Sequence, residues 1–218
     1  MSELLSAPVL VVPRRANALV RALVADVAAS PVTAADATVL GRVRQEPPER
    51  APVARALFLV VSILVNNPAT GRDATFAVED ADGSLVLRLA FGGGQVRVQD
   101  ATQTEIGLLV NEARSSGPDI VVRVYGPART SRWSLRSLRH LRGEPLAEGR
   151  APYRQTPELT LIDAAGAAVA RTARVDDDHV RTEILTEALP LRSLLAGFAC
   201  SMVMPEWVSR PSPPPRGG

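Results

Sequence analysis

Near its C-terminus the chain reads Pro190-Leu191-Arg192-Ser193-Leu194-Leu195-Ala196-Gly197-Phe198-Ala199-Cys200-Ser201-Met202-Val203-Met204-Pro205. Pro190 suits the first turn of a helix, and Pro205 prevents continuation. Between them only Arg192, Ser193 and Ser201 are polar, so apolar residues cover every face. A helix apolar all round must be enclosed by protein or by lipid. From 190 to 204 it would rise about 22 Å at about 1.5 Å per residue, short of the roughly 30 Å of hydrocarbon in a bilayer. Protein is therefore expected to surround it. The other apolar run, 56–65, is shorter and is closed by Asn66-Asn67-Pro68.

The rest of the chain supplies the enclosure. Residues 9–12 read as a short buried strand, and 39–45 alternate apolar with polar as a half-buried strand does. After Thr70 a period of two persists for about a hundred residues, giving strand-length runs at 75–80, 85–90, 95–98, 105–110, 120–125, 159–162, 168–174 and 180–185. Turn residues separate them: Asp82-Gly83, Gly92-Gly93-Gly94, Ser115-Ser116-Gly117-Pro118, Ala164-Ala165-Gly166 and Asp176-Asp177-Asp178. Asp82-Gly83 is expected to form a two-residue type I′ turn with both central residues at positive φ. A weak repeat, an apolar strand ending in Asp followed by a short turn, recurs around Asp80, Asp100 and Asp163; such an Asp caps turn backbone through its side chain. Segment 18–29 fits a helix or a strand and its turn, stopped by Pro31. Pro52 suits a helix start, and 53–65 reads as a short apolar helix, with a strand over 60–65 as the alternative.

Among 218 residues, 46% are hydrophobic and 22% charged, a globular composition that excludes a mainly disordered chain. Aromatics are only 4%, so Val, Leu, Ala and Ile must build the core. All 25 basic residues are Arg, which removes Schiff-base chemistry and a phosphate-loop lysine. One Cys and two His exclude a disulfide framework and a Cys/His zinc site. Neither His140 nor His179 sits in a catalytic motif, and His179 reads as a loop residue beside solvated carboxylates. Cys200 within the apolar helix is expected to be a core residue with a raised thiol pKa. Glu144 and Glu148 read as residues flanking a turn. No catalytic residue, metal ligand or cofactor is expected. The acidic start and the lone Cys favour a cytoplasmic location.

The feature above background is an arginine-rich stretch holding Arg129, Arg132, Arg136, Arg139, Arg142, Arg150 and Arg154, with Trp133 and leucines at 135, 138 and 141. At about 100° per residue, Arg129, Arg132, Arg136 and Arg139 share one helix face and the leucines the other, as in a basic surface helix. As a hairpin, 134–141 would pair with 145–151 across Arg142-Gly143-Glu144. Guanidinium groups bind phosphate oxygens bidentately, so anionic lipid headgroups fit this face. A nucleic acid, a protein partner or solvent alone are the other readings.

Many antiparallel strands followed by one all-round apolar helix resemble the tubby C-terminal-like superfamily, with its phospholipid scramblase-related and LURP-one-related proteins, and most of all its bacterial scramblase-related branch. The residues carrying the resemblance are Ala7-Pro8-Val9-Leu10-Val11-Val12, Leu40-Gly41-Arg42-Val43-Arg44-Gln45, the turns around Asp80, Asp100 and Asp163, and Leu185 through Leu195. The resemblance spans 7–207 and implies a closed antiparallel barrel of about twelve strands around a central hydrophobic C-terminal helix. Residues 208–218 are expected to form a disordered Pro-rich tail. The acidic calcium segment and cysteine cluster of eukaryotic scramblases have no counterpart here. The resemblance implies a non-enzymatic protein peripheral to the inner membrane face, with Arg129, Arg132, Arg136, Arg139 and Arg142 contacting lipid headgroups; a nucleic-acid- or protein-binding scaffold using the same face is the alternative.

Overall fold

The structure, a computed structural model, describes residues 2–13, 29–46, 74–92, 95–113, 119–127, 143–152, 158–176 and 178–203. In chain order its elements are α1 (Glu3–Ser6), β1 (Val9–Pro13), β2 (Ser30–Thr33), β3 (Val39–Gln45), β4 (Ala74–Asp80), β5 (Leu85–Gly92) and β6 (Gln95–Asp100). They continue with β7 (Glu105–Ala113), β8 (Asp119–Tyr125), β9 (Ala147–Pro152), β10 (Leu159–Ile162), β11 (Ala168–Arg174), β12 (His179–Ile184) and α2 (Leu191–Ser201). Each strand pairs with the next in the chain, and β1 also pairs with β12, closing a twelve-stranded antiparallel barrel. The expected fold is the observed one.

The period-two pattern sorts side chains between the two surfaces of this barrel. On β6, Val96 and Val98 are buried inside while Gln95, Arg97 and Gln99 lie on the outer wall. Leu10, Val43, Phe76, Leu89, Leu109, Val122 and Leu161 likewise join one internal apolar cluster. At its centre stands α2, whose Leu194, Leu195, Ala196, Phe198, Ala199 and Cys200 have no exposed surface. A twelve-stranded barrel is too wide for its own side chains to fill, and a helix about 10 Å across closes that gap.

Two glycines make the fit possible. A Cβ at Gly107 of β7 would stand 2.6 Å from Leu194 Cδ2 and 2.3 Å from the Tyr125 carbonyl oxygen. A Cβ at Gly197, on the helix itself, would stand 3.0 Å from Val98 Cγ1. At Gly107 the helix and wall approach each other more closely than a side chain allows, and at Gly197 a Cβ would require Val98 to give by a few tenths of an ångström.

Antiparallel alternation puts the β2–β3, β4–β5, β6–β7 and β10–β11 turns at one end, together with α1 and the approach to α2. These four turns share one geometry. The N–H of residues 37, 83, 103 and 166 donates back to the carbonyls of Ala34, Asp80, Asp100 and Asp163, and each of those donors has positive φ. A register shift accompanies every one. This corrects the expected type I′ turn at Asp82-Gly83, because Gly83 has positive φ and Asp82 does not. The strand twist is matched instead by a bulge with one left-handed residue. Asp100 and Asp163 cap turn amides as their positions suggested. In the β4–β5 turn, Asp82 caps, while Asp80 accepts from the Ser2 hydroxyl.

Other differences are local. The strand β2 runs through Pro31, where a stop was expected. The expected pairing of 134–141 with 145–151 is overturned, since β9 has β8 on one edge and β10 on the other. Glu148 lies within β9 rather than beside a turn. A short N-terminal helix is present at Glu3–Ser6, whereas 53–65 lies outside the described residues, as does most of 18–29. Among the described residues no helix is long and apolar enough to cross a membrane.

Candidate functional site

With the interior occupied by α2, the chemistry open to a partner lies on the outer wall. There the pleat of β8 and β9 sets Arg123 directly opposite Glu148, and Arg150 two residues further along β9. Arg123 Nε donates to Glu148 Oε2 at 2.7 Å, while Arg150 Nε and Nη2 donate to Oε1 at 3.1 and 3.0 Å. Burial raises the pKa of Glu148, and the hydrogen bonds and charges of Arg123 and Arg150 outweigh it, leaving the carboxyl below its usual value. Two guanidinium groups on one carboxylate leave this clamp with a net positive charge. Arg150 is 54% exposed and Arg123 only 13%, so Arg150 is the arm that faces outward.

A second clamp of the same form sits on β3 and β4. Arg42 Nε donates to Glu79 Oε2 at 2.6 Å, and Arg44 Nε and Nη2 donate to Oε1 at 3.1 and 2.8 Å. Glu79 is 7% exposed, and its two arginines are about half exposed. Burial raises the Glu79 pKa, and hydrogen bonds from Arg44 and Arg42 again outweigh it.

Arg129, Arg132, Arg136, Arg139 and Arg142 lie outside the described residues, as do Arg154, Trp133 and His140. The segment carrying those five arginines connects β8 to β9, the two strands of the first clamp. Arg150 belonged to the arginine-rich stretch of the sequence. Arg123 was missed and Glu148 was read as flanking a turn, because strand pairing joins them across 25 positions and no local pattern announces it.

Beside this clamp the outer wall is apolar. Leu108, Val110 and Tyr125 form a small buried cluster separate from the barrel core, and Val121 on the same face is buried too. Arg97 of β6 borders it and pairs with Glu105 at 3.5 Å.

Two other residues weighed in the sequence, Cys200 and His179, lie among the described residues. Cys200 is fully buried, and desolvation pushes its thiol up to about 12. His179 begins β12 with Nδ1 3.0 Å from both carboxylate oxygens of Asp176, at the turn joining β11 to β12. Among the described residues, no group of three or more His, Cys, Asp or Glu side chains is placed to hold a metal ion.

No protein-family model matches the chain, and no curated protein matches it. Among solved structures, it is similar to the X-ray structure of protein AT5G01750 from Arabidopsis thaliana, with a TM-score of 0.47 and 11% identity over 87% of this chain and 90% of that one.

Proposed function

We propose that this chain is a non-enzymatic protein, peripheral to the cytoplasmic membrane face, that engages anionic lipid headgroups through the arginine-bearing wall around β8, β9 and their connection. The observation carrying this reading is the Arg123–Glu148–Arg150 clamp, which keeps one exposed guanidinium group and net positive charge on the two strands that the sequence holding five more arginines connects. Guanidinium groups present paired donors that match phosphate oxygens. The filled interior supports an external mode of binding, since an enclosed apolar ligand would compete for the volume that α2 occupies.

Co-sedimentation tests the proposal. The protein is expected to pellet with vesicles of phosphatidylcholine plus phosphatidylglycerol at low salt, and to release at about 0.5 M salt as screening shortens the reach of the charges. Arg132→Ala with Arg136→Ala, and separately Arg150→Ala, should weaken the association. Equal recovery with neutral and anionic vesicles at low salt overturns the reading. A salt-dependent shift of duplex DNA without vesicle binding points instead to a nucleic-acid scaffold.

A further inference from the structure

The barrel end that carries α1 displays an unusual share of apolar surface. Six large apolar side chains are exposed among the described residues, and five of them, Val39, Leu146, Ile162, Leu185 and Leu189, lie at this end. Over the mouth at the same end lies the N-terminal segment. We propose that residues 2–7 are a strap closed over the plugged mouth and caught by Arg192, and that the strap opens as a unit while the twelve strands and α2 remain folded. This inference stands apart from the lipid reading.

Three attachments hold the strap, each to a different element. The Ser2 hydroxyl donates to Asp80 Oδ1 at 2.7 Å, at the end of β4. The side chain of Leu4 is fully buried, with Cδ1 2.8 Å from where a Cβ on Gly41 of β3 would stand. Arg192 of α2 donates through Nε to the Leu5 carbonyl at 2.9 Å and through Nη2 to the Ser6 carbonyl. From Pro8 onward the chain is pinned to the barrel, because the Pro8 carbonyl accepts from the Ile184 N–H at 2.7 Å. The movable part therefore ends at Ala7.

The division of labour within Arg192 makes it a catch rather than a permanent rivet. Its Nε and Nη2 hold the strap, whereas Nη1 bonds the Thr186 carbonyl and Glu187 Oε1, both at 2.9 and 2.8 Å on the approach to α2. When the strap leaves, the guanidinium group keeps its carboxylate partner, and its other edge meets water. The strap itself has a single helical turn, which does not persist in water without its attachments. Opening adds the seat vacated by Leu4 to the apolar side chains already exposed at this rim.

The lone native thiol provides an internal control. In the Leu4→Cys variant, maleimide labelling at position 4 reports strap opening, while labelling at Cys200, buried in α2, reports opening of the barrel. The expected result is labelling at position 4 about a hundredfold faster than at Cys200, yet slower than a free thiol. Adding Arg192→Gln should speed position 4 about tenfold, whereas adding Gly166→Ala, which strains the β10–β11 turn with no atom within 4 Å of its Cβ position, should speed Cys200 about fivefold with position 4 unchanged. Equal rates at the two thiols, a free-thiol rate at position 4, no acceleration of position 4 by Arg192→Gln, or equal acceleration of both thiols by Gly166→Ala overturns the proposal. Should the variants fail to fold, hydrogen exchange of the unaltered chain decides it: the Leu5, Ser6 and Ala7 amides must exchange faster than the strand amides, and exchange only through global unfolding refutes the strap.

Discussion

Arg192 Nε donates to the carbonyl oxygen of Leu5 at 2.9 Å, joining α2 to α1 across 187 positions of sequence. Arg192 is 2% exposed and still finds four acceptors, three of them backbone carbonyls. Replacing it by Leu would leave those carbonyls without their donor in a desolvated mouth. The expected loss is about 3 kcal/mol, read as a lower urea midpoint at unchanged slope.

Close approach between helix and wall should make Gly107 intolerant of any side chain. Gly107→Ala forces Leu194 and the Tyr125 strand apart and is expected to cost about 3 kcal/mol. Gly166→Ala is the comparison, since no atom lies within 4 Å of its Cβ position and only its φ of +83° is unfavourable. That change should cost about 1 kcal/mol. The two urea midpoints, measured side by side, separate crowding from backbone strain.

The four matching turns predict stabilising substitutions as well. Ala37 and Gln103 occupy the left-handed position with φ of 68° and 64°, where Gly83 and Gly166 stand in the other two turns. Ala37→Gly and Gln103→Gly are each expected to add about 0.5 kcal/mol, the relief of strain exceeding the entropy cost of glycine. A rise in thermal midpoint for both checks this.

Acid should weaken the barrel through its two clamps. Glu79 and Glu148 have pKa values below the usual 4.5 in the folded chain, despite burial, because paired arginines hold the charged form. The unfolded chain therefore takes up protons first as pH falls. The stabilisation is complete above about pH 5 and disappears as pH drops through the folded-state values below 4.5. The double variant Glu79→Gln, Glu148→Gln should flatten the decline of stability between about pH 5 and pH 3. An unchanged slope would assign acid sensitivity to other carboxylates.

Much of this architecture was legible because burial on one face imposes a period. Val43 is buried between the exposed Arg42 and Arg44, an alternation that marks the strand, and the observed β3 spans the expected 39–45 although Leu40 and Gly41 are buried in succession. The helix was readable from the opposite signal, the loss of any polar face, which only an enclosing wall permits. The strand β2 escaped notice because it is four residues long and contains Pro31. It forms a single ladder pair with β1, Val11 with Thr33, so a missing N–H on that side costs little. The α1 turn was too short for periodicity, and its one cue was Ser2, whose hydroxyl accepts from the Leu5 N–H. The partner of β9 was misread because Arg142-Gly143-Glu144 suggests a local turn, whereas β8 had to be found from the closed ladder as a whole.

The position of α2 in the chain has a consequence for biogenesis. All twelve strands precede it, so a ribosome releases the wall before the material that fills it. Until then the inward-facing valines and leucines have no lining, and an emerging chain must be sheltered from its neighbours. A premature stop before Leu191 would therefore remove the nucleus of the interior, and the product would be expected to aggregate rather than survive as a shortened, working domain.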